Sequence, residues 1–202
     1  MEIKLSNDHE YTVDGKVYPG VTTIIGDVYG RFPYPEGAAE RGHHVHLATQ
    51  LFDENDLDES SLDEVVNGYL EGYKLFVTEM DFNPKQIELK VYNQVYGYCG
   101  TLDRIGVFRD RPNKKVLIDI KSGSPEWWHP IQTMAYAACL DDGPYDRYAL
   151  YLKPDGKYKL VPHTRRADLQ DWLCTVRVWQ IRRENNFSTT QRLKPWDCKN
   201  SS

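Results

Sequence analysis

Alternation between apolar and polar positions is clearest in the middle of the chain. Residues 95–108 and 115–121 are rich in β-branched and aromatic side chains and predict two antiparallel strands. Arg109 to Lys114, with Asp110, Pro112 and Asn113, suits a hairpin connection between them. In the second strand Val116, Ile118 and Ile120 take the face that turns into a core, and Asp119 and Lys121 share the other. Another strand is expected near 86–93, with Ile87, Leu89 and Val91 on one side and Glu88, Lys90 and Tyr92 on the other. Residues 146–152 and 157–162 read as a strand pair around Pro154-Asp155-Gly156. Residues 10–19 read as a small hairpin turning at Asp14-Gly15.

Helical spacing occupies much of the remainder. A short helix is expected near 21–29, and a longer one over 35–52, opened by Pro35 and rich in Ala. Ser61 and Glu64 fit a capping box for a helix of about 62–80. Its core-facing stripe would be Val65, Tyr69, Leu70, Tyr73, Phe76 and Val77. A helix over roughly 126–141 contains Pro130, which should delay its regular part to about His129. There Gln132 and Tyr136 share a face while Met134, Ala135 and Ala138 can pack. Residues 167–185 predict a last helix burying Leu169, Leu173, Val176 and Ile181, and the tail after 187 reads as polar and loose. Neither a repeat nor a linker is visible, so 1–202 reads as a single domain, with the 10–30 hairpin and short helix as its N-terminal part.

Composition narrows the class. With 40% hydrophobic and 27% charged residues the chain is an ordinary soluble globular protein. It has no run of 18 or more apolar residues and no apolar N-terminal signal region, so an intracellular, cytoplasmic protein with no membrane partner is expected. Cys99, Cys139, Cys174 and Cys198 are scattered, which argues against a zinc ribbon and for plain thiols. The net charge of −5 hides an asymmetry, because residues 1–100 carry −11 and residues 101–202 carry +6. A basic half can steer a polyanion even when the total is acidic. The acidic run at 53–64 has no Gly and lacks calcium-loop spacing, so it reads as a solvated loop.

The candidate chemistry lies in the central hairpin. Asp103 on one strand and Asp119 with Lys121 on the next can meet at one spot. Paired carboxylates repel and raise one another's pKa unless a cation lies between them. A hard divalent ion such as Mg²⁺ takes oxygen ligands at about 2.0–2.1 Å and prefers one or two carboxylates plus phosphate oxygens. Lys121 is placed to orient a water or to stabilise charge on a phosphate. Glu88 either joins this cluster or is a surface carboxylate beside Lys90. Ser122-Gly123-Ser124-Pro125 offers hydroxyls and N–H groups to a phosphate, or is simply a turn. Trp127 and Trp128 are either base-stacking residues or ordinary core and edge residues. Arg177, Arg182 and Arg183 either contact phosphates or form a solvated face.

Gly100-x-x-Asp103, Asp119-x-Lys121 and Gln132-x-x-x-Tyr136, in this order, resemble the PD-(D/E)XK nuclease superfamily. Within it the chain looks most like the RecB-type branch, which includes phage exonucleases and the mitochondrial genome maintenance exonuclease. That branch carries a helical Gly-x-x-apolar-His signature, matched here by Gly42-His43-His44-Val45-His46. Tyr18-Pro19-Gly20-Val21-Thr22 resembles its Pro-Ser-Val-Thr opening, with Gly20 where Ser is usual. The resemblance runs from about residue 18 to about 162.

It implies a restriction-endonuclease-like α/β core, a mixed sheet flanked by helices. It also implies Mg²⁺- or Mn²⁺-dependent hydrolysis of DNA phosphodiesters. His46, Asp103, Asp119 and the Ile120 carbonyl would hold metal, with Glu88 in support or at a second ion. Lys121 would serve the water, and Gln132, Tyr136 and Ser122 the substrate. An iron–sulfur cluster is not expected, because the C-terminal cysteine spacing that some relatives use is missing. Relatives with this set are mainly exonucleases acting on a DNA end or single strand in recombination, replication or repair. A chain without its own helicase suits a protein partner or a phage-encoded role in a host cytoplasm. Two other classes stay open: a non-catalytic nucleic-acid-binding scaffold that kept the fold, and a different metal enzyme built on the histidines at 43–46, which should prefer Zn²⁺ or Fe²⁺.

Overall fold

The computed structural model describes residues 2–6, 10–30 and 35–186, so the tail after 187 lies outside the described residues. Its centre is a five-stranded sheet in the order β4-β5-β6-β7-β8, made of β4 (Phe82–Asn93), β5 (Tyr98–Phe108), β6 (Val116–Lys121), β7 (Asp146–Leu152) and β8 (Tyr158–Pro162). β4, β5 and β6 run antiparallel in turn, β6 and β7 are parallel, and β8 returns antiparallel. A parallel pair cannot be joined by a tight turn. Here the crossover contains α4 (His129–Ala137). A small three-stranded sheet, β1 (Ile3–Leu5), β2 (Tyr11–Val13) and β3 (Lys16–Tyr18), precedes α1 (Val21–Tyr29). This is the mixed α/β architecture, a sheet flanked by helices, that the resemblance implies.

Both faces of the sheet are covered. On one face α2 (Ala38–Glu54) and α3 (Glu64–Glu79) bring Val45, Tyr69, Tyr73 and Phe76 against Val116, Ile118, Ile120 and Leu150. On the other, α1, α4 and α5 (Asp168–Glu184) bring Ile24, Ile131, Ala135, Trp172 and Val176 against Tyr98 and Leu117. Alternation along β6 therefore feeds two cores rather than one core and solvent. α3 lies so close to the β7–β8 turn that a Cβ on Gly68 would overlap the Pro154 carbonyl, and one on Gly72 would come within 2.7 Å of the Lys157 oxygen.

Several expectations need correcting. The N-cap of α3 is Asp63, whose carboxylate accepts the Val66 N–H at 2.9 Å, while Ser61 donates to the Asp58 carbonyl. One step along that helix, Val66 is buried and Val65 exposed. β4 begins at Phe82, earlier than the alternation suggests, because a bulge between Pro84 and Gln86 interrupts the pattern. The stripe of α5 is Trp172, Thr175, Val176 and Trp179, while Leu169 and Ile181 are exposed and Leu173 only partly buried. The large indoles take the seam and turn the smaller apolar residues outward. Arg182 donates to the Asp27 carbonyl and so ties α5 to α1, while Arg177, paired with Glu184, and Arg183, over the Trp179 ring, lie exposed on the solvated face. Asp53, in the run read as solvated, is a buried partner of Arg104.

Under α4 lies a buried polar network. Arg147 donates to the Pro130 and His163 carbonyls, both at 2.9 Å, and to Asp168 at 2.8 Å. His163 Nδ1 lies 2.9 Å from the Thr133 hydroxyl, and His129 Nδ1 accepts the Glu126 N–H and lies 2.7 Å from the Tyr151 hydroxyl. Burial, then the charges of Lys121 and His163, pushes His129 down to about 3. Burial, then Arg147, pushes His163 down to about 4. Both rings are neutral in the folded protein.

Two outcomes follow. Gly68→Ala should destabilise the protein by a net of up to roughly 2 kcal/mol in urea unfolding, since overpacking costs about 1–3 kcal/mol and helix propensity returns only ~1 kcal/mol. An unchanged midpoint would mean that the turn yields freely. For His163, the unfolded ring takes up a proton below about pH 6.5 while the folded ring does not until about 4. Its contribution to stability is therefore lost as pH falls through that window, by up to ~1.4 kcal/mol per pH unit. His163→Asn should flatten the unfolding free energy against pH over this range relative to wild type. Parallel curves would show that the ring is not held neutral.

Candidate metal centre

The site forms where β5 and β6 part. Their ladder pairs Gly106 with Val116, Ile105 with Leu117 and Arg104 with Ile118, and one further step sets Asp103 opposite Asp119. Beyond that ladder the Ile120 N–H donates to Asp103 Oδ2, at 2.5 Å. Asp103 and Asp119 are both buried. Lys121, on the same face of β6 as Asp119, places Nζ 2.7 Å from Asp119 Oδ2. That contact is an ion pair without hydrogen-bond alignment, and Asp119 Oδ2 is buried with no hydrogen-bond partner.

From the helix side His46 reaches Asp103, with Nδ1 3.4 Å from Oδ1, while His43 and His44 are exposed on α2 and contact one another. Glu88 completes the set: ligand atoms of His46, Glu88 and Asp103 all lie within 4.8 Å of one another. Glu88 has a positive φ of 48°. This left-handed backbone, uncommon for a residue with a Cβ, interrupts the face shared with Lys90 and Tyr92 between the Ile87–Arg104 and Leu89–Leu102 pairs. Arg104 donates to Glu88 at 3.2 Å and to the Asp103 carbonyl at 2.6 Å, fixing both acidic residues from behind.

The electrostatics describe a site with excess negative charge. Burial and then the Asp103 carboxylate raise the pKa of Glu88, against His46 and Arg104. Burial raises Asp119 as well, and Asp103 adds to it against the pull of Lys121. Burial opposes ionisation of Asp103 too, but His46, Lys121 and the Ile120 N–H outweigh it and hold this carboxyl below its usual range. Burial would lower His46, and the neighbouring Asp103 more than offsets that. Carboxylates packed this closely, with Asp119 Oδ2 held only in an unaligned ion pair with Lys121, fit a divalent cation, which relieves the repulsion and takes oxygen and imidazole ligands.

α4 closes the site from the other face. The Gln132 amide donates to the Tyr136 hydroxyl at 2.9 Å, both side chains are buried, and Gln132 Oε1 has no hydrogen-bond partner. The Tyr136 ring lies over Gly100, where a Cβ would come within 2.5 Å of Cε1, so the glycine of the Gly-x-x-Asp element makes room for that ring. Burial, then the charges of Asp119, Tyr11 and Asp103, raises the Tyr136 hydroxyl well above its ordinary range. Gly20, the N-cap of α1, makes no side-chain cap and packs against the Tyr11 ring, where its Cβ would stand 3.1 Å from Cε2.

A groove leads in from solvent along His46, Ile120, Lys121 and Ser122. Arg41, Lys153 and Lys159 also line it, and none of them is singled out by the sequence patterns. Arg41 shares a helix with His46, and the two lysines flank the β7–β8 turn, so helix membership and turn position were the available signals. Ser122 offers its hydroxyl to the groove and its carbonyl to Tyr69, at 3.3 Å. Among the described residues no helix is long and apolar enough to cross a membrane.

No protein-family model matches the sequence, and no curated protein matches it. Solved structures do. A candidate exonuclease from Eubacterium rectale aligns with a TM-score of 0.55 at 13% identity, over 90% of this chain and 86% of its own. An alkaline exonuclease from Laribacter hongkongensis aligns with a TM-score of 0.48 at 12% identity, over 84% of this chain and 89% of its own. At 13% identity the first of these likenesses is one of fold: the five-stranded mixed sheet with helices on both faces is an architecture already seen in a solved protein described as an exonuclease.

Proposed function

We propose that this chain is a metal-dependent deoxyribonuclease, an exonuclease that hydrolyses phosphodiesters from a DNA end. The carrying observation is the group of half-buried His46 and Glu88 with buried Asp103, with Asp119 opposite and Lys121 beside it, at the parting of two central strands. In this reading 1–202 is one nuclease domain. DNA is the substrate, and a recombination, replication or repair protein of a cell or phage is the partner. His46, Asp103, Asp119 and the Ile120 carbonyl would hold Mg²⁺ or Mn²⁺, with Glu88 in support or at a second ion. An ion held there would supply polarisation of the phosphate and a lowered pKa for a water.

The chain's own groups do the rest. Lys121 donates from Nζ to the attacking water or to a phosphate oxygen, positioned by its contact with Asp119. Arg41, Lys153 and Lys159 hold the strand by its phosphates. Gln132 and Tyr136 wall the site and keep bulk water from the carboxylates. Hydrolysis adds water across one P–O bond, leaving a phosphate on one fragment and a hydroxyl on the other. The scaffold alternative would leave buried, partly unsatisfied charge without a task, which is costly to keep. The alternative built on a histidine cluster meets exposed His43 and His44, whereas His46 groups with Glu88 and Asp103.

The test is release of nucleotides from 5′- and 3′-labelled single- and double-stranded DNA in Mg²⁺, Mn²⁺ and EDTA. Cleavage only with a divalent ion is expected, and metal-independent or absent cleavage ends the reading. Asp119→Asn should lose both metal binding and turnover. Lys121→Ala should lose turnover by about 10²-fold or more while DNA affinity stays near wild type, since affinity is spread over many phosphate contacts. A Lys121→Ala enzyme that cuts at a normal rate would reduce this lysine to a groove charge. His46→Ala should impair activity in Mn²⁺ while His43→Ala and His44→Ala retain it, and the reverse pattern would move the ligand to another histidine.

A further inference from the structure

We infer that Trp127 and Tyr29 form a stacking platform for an unpaired nucleobase, so that the strand engaged is single-stranded where it leaves the catalytic groove. The inference rests on the nuclease reading and adds the state of the substrate to it. Trp127 is 55% exposed, whereas Trp128, Trp172 and Trp179 are buried. Tyr29 is 41% exposed and meets Trp127 edge to face, with ring centroids 4.8 Å apart and an interplanar angle of 85°. The pair is held in place from beneath. The Thr175 hydroxyl donates to the Asp171 carbonyl at 2.7 Å, so it accepts from the Tyr29 hydroxyl at 2.6 Å and ties that ring to α5. Exposed aromatic surface kept in a fixed pose against a neighbouring helix offers contact area at little entropic cost.

Position and charge select the occupant. Tyr29 and Trp127 line a second groove of ≈ 730 Å³, within the ~300–1,000 Å³ range of small-molecule sites. Its wall is continuous with the catalytic groove, because Pro125, Glu126 and Tyr151 line both. The two differ in chemistry. The catalytic groove carries Arg41, Lys121, Lys153 and Lys159. In the second groove Arg165 is already bound to Asp168 and Asp171. Phosphates are therefore held in the first groove, and the second receives the apolar faces of bases. Within a duplex those faces are hidden by their neighbours, so a platform beside the site is useful only to a strand whose bases are unstacked.

The full-length protein can be tested by anisotropy with a labelled oligo(dT) strand and a blunt duplex, in EDTA and in Ca²⁺. Trp127→Leu should bind oligo(dT) about 5- to 140-fold more weakly, the equivalent of ~1–3 kcal/mol for one lost base stack at ~1.4 kcal/mol per tenfold. Trp127→Phe should restore most of the affinity, and duplex binding should be unchanged in both. Hydrolysis of thymidine 5′-p-nitrophenyl phosphate should be unaffected in Trp127→Leu, with circular dichroism confirming the fold. Wild-type affinity for oligo(dT) in Trp127→Leu overturns the platform. Equal loss for duplex and single strand, or no recovery in Trp127→Phe, shows a duplex-end cap or a structural role and overturns it too. If no DNA and no ester is cleaved in Mg²⁺ or Mn²⁺, the nuclease reading fails, and the binding comparison still decides the platform independently.

Discussion

The arrangement around the site depends on a guanidinium with no exposed surface. Arg104 sends Nε to Asp53 at 2.5 Å and to the Tyr73 hydroxyl, one terminal nitrogen to Glu88 and the Asp103 carbonyl, and the other to Thr49. One side chain thus joins α2, α3, β4 and β5. A charge in an apolar core is tolerated only when its donors are matched, and removing a partner from such a network costs about 3–5 kcal/mol. The planar fork of arginine makes five directed bonds where an ammonium has three, so lysine cannot fill the place. The same group that knits the two-helix layer to the sheet also fixes the backs of Glu88 and Asp103.

Stability and chemistry compete at this point, and the structure shows how the competition is resolved. Glu88 occupies a left-handed backbone, a conformation that costs of order 1–3 kcal/mol and persists where the surroundings over-determine it. Asp119 keeps a buried oxygen in an unaligned ion pair with Lys121, and Glu88 and Asp119 are both pushed toward their protonated forms. Each of these is a liability for a scaffold that only had to fold. Two aromatic-rich cores, one on each face of the sheet, supply the stability that lets such a cluster persist.

How much of this could be read beforehand varied with the kind of signal. The central hairpin and the start of α4 at His129 follow from strand alternation, turn residues and Pro130, whereas the parallel pairing of β6 with β7 has no local signal. Asp119 and Lys121 were matched to one face because alternation is local and the strand regular. The stripe of α5 was misassigned because Leu169 and Ile181 and the indole pair Trp172 and Trp179 are both compatible with helical spacing, and only the facing surface decides between them. Arg104 and Asp53 were invisible as partners, because a charged residue in a strand and an acid in an acidic run both read as solvated until the fold brings them together. The orientation of Glu88 was undecidable for a similar reason, since a left-handed residue inside a strand leaves no mark on the pattern of residue types.

The parallel pairing of β6 and β7 has a consequence for the newly made chain. Asp103 and Asp119 lie on a local hairpin that can form early, but His46 comes from much earlier in the sequence and Gln132 and Tyr136 from the crossover behind it. Pairings between distant segments must close long loops before they are rewarded, so they form late. A chain arrested at the hairpin stage has two acids side by side and neither the imidazole nor the helix that encloses them. In such a chain the two carboxylates would stand together before the imidazole and the enclosing helix arrive, so the complete cluster is a product of the long-range contacts alone.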